Sequence, residues 1–70
     1  MNRVRVSASS VAAIGYDRGS QLLEVAFHDG STYQYSPVPM AVNVALMTAT
    51  NAGNYFAANI RNRYHTVQLA

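Results

Sequence analysis

Leu23, Val25 and Phe27 alternate with Glu24, Ala26 and His28, run into Asp29-Gly30, and are followed by Ser31-Thr32-Tyr33-Gln34-Tyr35-Ser36. Period-two alternation on either side of an Asp-Gly pair specifies two antiparallel strands joined by a tight turn. Its register decides the role of the tyrosines. A two-residue loop, Asp29-Gly30, pairs Phe27 with Thr32 and puts Tyr33 and Tyr35 on the face of Glu24 and Ala26. A three-residue loop, His28-Asp29-Gly30 with a left-handed Gly30, pairs Phe27 with Ser31 and Val25 with Tyr33, so both tyrosines join Leu23 and Val25. The second register is favoured, because a small domain needs aromatic area inside.

The chain has 70 residues and no cysteine, so its one domain folds without disulfides or thiolate metal sites. A core of that size supplies about 3–5 kcal/mol on its own, which makes oligomerisation a natural aid. Half the residues are apolar and 11% are charged, a balance that fits a folded domain. No apolar run reaches the ~18 residues of a membrane span, and the first residues lack the apolar stretch of a secretory leader. A cytoplasmic protein is expected.

Around the hairpin the remaining elements fall into place. Residues 1–8 are polar and basic and read as an arm, with residues 9–70 as a single domain. Val11 to Tyr16, with Ala12, Ile14 and Tyr16 in alternation, reads as the first strand, and Asp17-Arg18-Gly19-Ser20 as a turn. Pro37 and Pro39 end the sheet, and Pro39 suits the first turn of a helix reaching Thr48 or Ala49. Its wheel has two apolar faces: Val42, Ala45, Leu46 and Ala49 on one, Met40, Val44 and Met47 on the other. The second face is covered either by other parts of the chain or by a second subunit. Asn51-Ala52-Gly53-Asn54 breaks the helix. A second helix is expected from Asn54 to Arg63, with Phe56, Ala57, Ile60 and Tyr64 on its core face. Val67 and Leu69 mark a possible short edge strand in the tail. The fold class is therefore α+β: a three-stranded antiparallel meander, then two helices, with that edge strand as an addition.

Taken together, Ser9-Ser10, Ile14-Gly15-Tyr16-Asp17, Leu23, Phe27, Gly30, Tyr33-Gln34-Tyr35, Val38-Pro39, Gly53-Asn54-Tyr55-Phe56, Ile60-Arg61 and Tyr64 resemble the KTSC domain, named for its place at the C-terminus of some lysyl-tRNA synthetases. The resemblance covers residues 9–64. It implies a small module that also occurs free-standing in bacteria and phages, with RNA binding suggested for the synthetase-fused form. Where such proteins often carry a lysine beside the glycine before the Tyr-Phe pair, this chain has Asn51, Ala52 and Asn54. That departure argues against a broad polyanion-binding surface.

Chemistry along the chain favours binding over catalysis. His28 and His65 are the only candidate bases near neutral pH, and neither has a partner at metal-ligand spacing. Asp17 and Asp29 sit where turns favour aspartate. No nucleophile elbow, phosphate loop or metal motif is present. The expected function is a non-catalytic module for a phosphate-containing ligand, RNA or a nucleotide, with no cofactor. All five cations are arginines, whose planar fork suits phosphate. Arg61 and Arg63 gather with Tyr55, Asn59 and Asn62 on the expected second helix, Arg61 on the opposite flank, and Asp17-Arg18 form a further candidate. Guanidinium groups hold phosphate, amides read base edges and aromatic faces stack on bases. Two alternatives stand beside this one. One is a homo-oligomer, joined through Met40, Val44 and Met47, that sequesters a small cyclic nucleotide signal. The other is a protein-interaction module using the same face.

Overall fold

Among the described residues, five strands and two helices follow one another: β1 (Arg3–Arg5), β2 (Val11–Asp17), β3 (Leu22–Phe27), β4 (Thr32–Ser36), α1 (Met40–Thr48), α2 (Ala52–Asn59) and β5 (His65–Gln68). They belong to a computed structural model that describes residues 3–6 and 10–70. Ser9 of the Ser9-Ser10 pair, and the rest of the expected arm apart from 3–6, lie outside the described residues. The strands form one antiparallel sheet in the order β1-β2-β3-β4-β5. The α1–α2 pair fills the connection from β4 to β5.

The hairpin adopts the three-residue register. Leu23 pairs with Tyr35, Val25 with Tyr33 and Ala26 with Thr32, and the Phe27 amide donates to the Ser31 carbonyl. Gly30 closes the loop at φ +93°, where a side chain would be strained. Leu23 and Val25 are fully buried and Tyr35 nearly so, with Phe27 and Tyr33 packed around them. β2 extends the same face with Ile14 and Tyr16. A bulge between Val11 and Ala13 resets the pleat, so that Val11, not Ala12, enters the core.

Two strands extend the expected meander. The stretch expected as an arm contains β1: Val4 lies opposite Ile14 on the helix side, and Arg3 and Arg5 lie on the other face. One apolar residue between two arginines is too short a pattern to announce a strand; pairing with β2 supplies it. The Arg3 guanidinium also pairs with the Glu24 carboxylate on the face opposite the helices. At the far edge, β5 pairs with β4, Tyr35 facing Thr66 and Tyr33 facing Gln68, as the tail alternation implied.

α1 starts after Pro39 and presents Leu46, fully buried, with Val42, Ala45 and Ala49 half-buried beside it. Burying a side chain such as Leu46 contributes about 1.5–3 kcal/mol. α2 begins at Ala52, earlier than expected, because the Asn51 side chain accepts from the Asn54 amide at 3.0 Å. Asn51, read as a helix breaker, is a helix cap. Ala52, Phe56 and Ile60, four residues apart, are the buried row, while Ala57 is exposed. The expected helix to Arg63 stops at Asn59. The amides of Ile60 and Arg61 both donate to the Phe56 carbonyl, and the Arg63 amide donates to Ile60 across a turn whose third residue, Asn62, has φ +63°. Asparagine tolerates that left-handed conformation better than other side-chain-bearing residues.

Candidate functional site

Two structural events converge on one place. The hairpin register sends Phe27, Tyr33 and Tyr35 to the helix side, and the early end of α2 drops Arg61 and Asn62 into a turn that leads to β5. Between them lies a cleft of about 400 Å³ lined by Phe27, Asp29, Ser31, Tyr33, Tyr35, Phe56, Arg61, Asn62 and Thr66. Its wall is a linked set of edge-to-face rings: Phe27–Tyr33 at 5.9 Å, Phe27–Phe56 at 5.4 Å and Tyr35–Phe56 at 5.3 Å. Phe56 sits in the middle of this set and also accepts the backbone bonds that start the Arg61 turn. The backbone of Arg61 is thus tied to the residue that carries the central ring.

Charge in the cleft is sparse and placed. Arg61 supplies one guanidinium. At the hairpin, Asp29 Oδ1 accepts from the Ser31 amide at 2.9 Å and from Ser31 Oγ at 2.6 Å. Those two bonds hold its carboxyl below the ordinary carboxylate range. Burial pushes the Tyr35 phenol up, Tyr33 adds to the effect, and Arg61 opposes it. Arg61 and Tyr35 both line the cleft.

The expected site residues do not stay together. Arg61 and Asn62 line the cleft. Tyr55 is half-buried against the core, Asn59 donates back to the Tyr55 carbonyl at 3.1 Å, and Arg63 is exposed; none of the three belongs to the cleft wall. The helical strip that united them required α2 to continue to Arg63, and it does not. Asp17 caps its own turn, accepting from the Gly19 amide and from Ser20 Oγ, which lowers its carboxyl as well. Arg18 belongs to a second cleft of about 360 Å³, with Val4, Ile14, Tyr16, Met40, Asn43, Val44 and Met47. There Val4, Met40 and Val44 are exposed, and Asn43 Oδ1 is buried without a hydrogen-bond partner among the described residues.

Sequence reasoning passed over Tyr33, Thr66, Asp29 and Ser31 as site residues. The signal for Tyr33 is the favoured hairpin register, which turns its ring toward the core and leaves its hydroxyl within reach of a rim, and that for Thr66 is the tail alternation, which marks an edge strand. Among the described residues, no three His, Cys, Asp or Glu side chains gather as a metal site, and no helix is long and apolar enough to cross a membrane.

An antiparallel sheet with two helices on one face, and an aromatic cleft where the second helix turns back to the edge strand, defines a small α+β domain. The chain belongs to the KTSC domain family, whose sequence profile matches residues 7–64. It superposes on the crystal structure of a KTSC domain protein from Yersinia pestis with a TM-score of 0.93 and 33% identity, covering 99% of this chain and 97% of that one. It is 43% identical over 56 residues to an uncharacterized protein of Stutzerimonas stutzeri, covering 80% of this chain and 79% of that protein. It is also 31% identical over 67 residues to a lysine–tRNA ligase of Nostoc, spanning 96% of this chain but 12% of the ligase.

Proposed function

We propose that this domain is a non-catalytic binding module for a nucleotide-sized, phosphate-bearing ligand, held in the cleft between the hairpin and the α2–β5 turn. The observation that carries the reading is the pairing of one guanidinium, Arg61, with an aromatic wall of Phe27, Tyr33, Tyr35 and Phe56 in a cleft of about 400 Å³. In this reading Arg61 and the Asn62 amide take phosphate, and the rings take the planar part of the ligand. Such a volume lies in the usual range for small-ligand sites.

The distribution of arginines supports a single nucleotide over a long RNA track. Arg3 and Arg5 share the sheet face opposite the helices, Arg18 lies in the second cleft, and Arg63 lies off the wall of the first. Extended RNA binding draws on several phosphate contacts. RNA remains the second reading because related sequence forms part of lysine–tRNA ligases; a flipped or terminal nucleotide would then occupy the same cleft. A free-standing copy would serve by sequestering a small nucleotide, cyclic or linear.

Titration of the chain with nucleoside monophosphates, followed by amide chemical shifts, tests this reading. Saturable shifts at Tyr33, Arg61, Asn62 and Thr66 are expected. Arg61→Ala should weaken binding roughly tenfold or more, the loss of a charged hydrogen bond being worth about 1.5–3 kcal/mol. Affinity should fall shallowly with salt; a steep fall with oligonucleotides and silence with mononucleotides would favour RNA. Absence of any shift at the cleft with either ligand refutes both readings.

A second, independent reading concerns assembly. Val4, Met40 and Val44 are 54%, 40% and 51% exposed around one apolar cleft. We propose that a second copy of the chain covers this face.

A further inference from the structure

The ligand cleft is polar at both ends and unlike at each. Asp29 and Ser31 stand at the hairpin that opens β4, and Arg61 and Asn62 stand in the turn that leads into β5 beside the other end of β4, where Ser36 pairs with His65. Along β4 the lining runs Ser31, Tyr33, Tyr35, which at ~3.3 Å per residue spans about 13 Å, close to the length of an extended mononucleotide. An anion has a partner at the Arg61 end. At the other end a phosphate would meet a carboxylate.

The carboxylate is also prepared to accept a further bond. Both of its turn bonds, from the Ser31 amide and Ser31 Oγ, fall on Oδ1. Among the described residues no side chain donates to Oδ2, which keeps acceptor capacity facing outward, while the bonds from Ser31 to Oδ1 and the Asp29 amide anchor the group to the hairpin. A fixed acceptor of this kind recognises an N–H donor on a base edge. Adenine, cytosine and guanine each carry an exocyclic amine. Uracil presents a single N–H between two carbonyl oxygens, which a carboxylate repels.

We infer that the cleft binds its nucleotide in one direction, phosphate at Arg61 and base edge at Asp29, and so selects amine-bearing bases over uracil. This rests on the nucleotide reading and adds orientation and base preference to it.

The test uses AMP, CMP, GMP and UMP with the intact chain at one ionic strength. UMP should bind at least tenfold more weakly than the other three, a ranking that needs no variant. Asp29→Asn keeps an Oδ1 acceptor for Ser31, and so keeps the turn, but replaces Oδ2 with an amine. It should narrow the gap to about threefold or less and improve UMP in absolute terms, its amide spectrum otherwise matching that of the parent. If nucleotides bind but UMP ranks with the rest, or Asp29→Asn leaves the ranking unchanged, Asp29 is only a hairpin residue and the inference fails with the nucleotide reading intact. If none of the four binds, the nucleotide reading falls and takes this inference with it.

Discussion

Tyr35 of β4 and Phe56 of α2 meet edge to face, their ring centres 5.3 Å apart and their planes at 72°. This contact joins the second helix to the sheet, and the same two rings form part of the cleft wall. Stability and ligand binding are therefore coupled at Phe56. Phe56→Ala is expected to cost about 3–5 kcal/mol, comparable with the whole stability of a domain this small. Phe56→Leu, which keeps most of the volume, should lower the urea midpoint but leave a cooperative transition. A Phe56→Ala chain that melts like the parent would show that the helix is held by other contacts.

The sheet centre was legible because its signals are local. Alternation in β3, Asp29-Gly30 and the return through Tyr33 and Tyr35 specify a hairpin, and the need to bury rings selects its register. The end of α2 was not legible in the same way. Helical periodicity continues through Ile60 and Tyr64, so the wheel carries Asn62 and Arg63 onward. The helix gives way at its Ile60 cap to a turn completed by Asn62 at φ +63°, a backbone choice that no hydrophobic pattern records. That single difference moves Arg63 off the site while leaving Arg61 on it. β1 was hidden for another reason: three residues with one valine carry no periodic signal, and its partner strand makes it.

Asn62 itself offers a direct check of that turn. A non-glycine residue in the left-handed region costs roughly 1–2 kcal/mol, less for asparagine and nothing for glycine. Asn62→Gly should be neutral or stabilising, and Asn62→Val should destabilise by about 1–2 kcal/mol. Gln21, at φ +56° after the Asp17–Ser20 turn, should respond in the same sense, with Gln21→Gly gaining stability. Equal melting of the glycine and valine variants at Asn62 would contradict the turn geometry.

Self-association through the exposed face of α1 is open to a variant that spares the core. Val44 is 51% exposed, and the buried side of the helix is carried by Leu46. Val44→Asp should thus leave the fold intact and weaken association tenfold or more, read by light scattering across concentration. A wild-type chain that stays at 7.6 kDa at the highest concentration removes the proposed dimer.

The pH dependence of stability should have two limbs, each with its own residues. Asp17 and Asp29 are held below their ordinary value of 3.8 by side-chain and backbone bonds in their turns. A depressed carboxyl contributes stability above its unfolded value and loses it as pH falls through the folded one, so acid weakening should begin near pH 4. Both groups are fully exposed, which keeps this limb shallow. Tyr35 works in the opposite direction. Burial, with Tyr33 beside it, raises its phenol above 10.0, so the folded chain holds that proton when the unfolded chain has released it. Its contribution is complete below pH 10 and fades as pH rises through the raised value. Tyr35→Phe has no proton to lose at that position. Its alkaline limb should therefore be flatter than that of the parent, and the late phase that Tyr35 contributes should vanish from the ultraviolet titration. An unchanged alkaline limb and an unchanged late phase in Tyr35→Phe would assign both to another tyrosine.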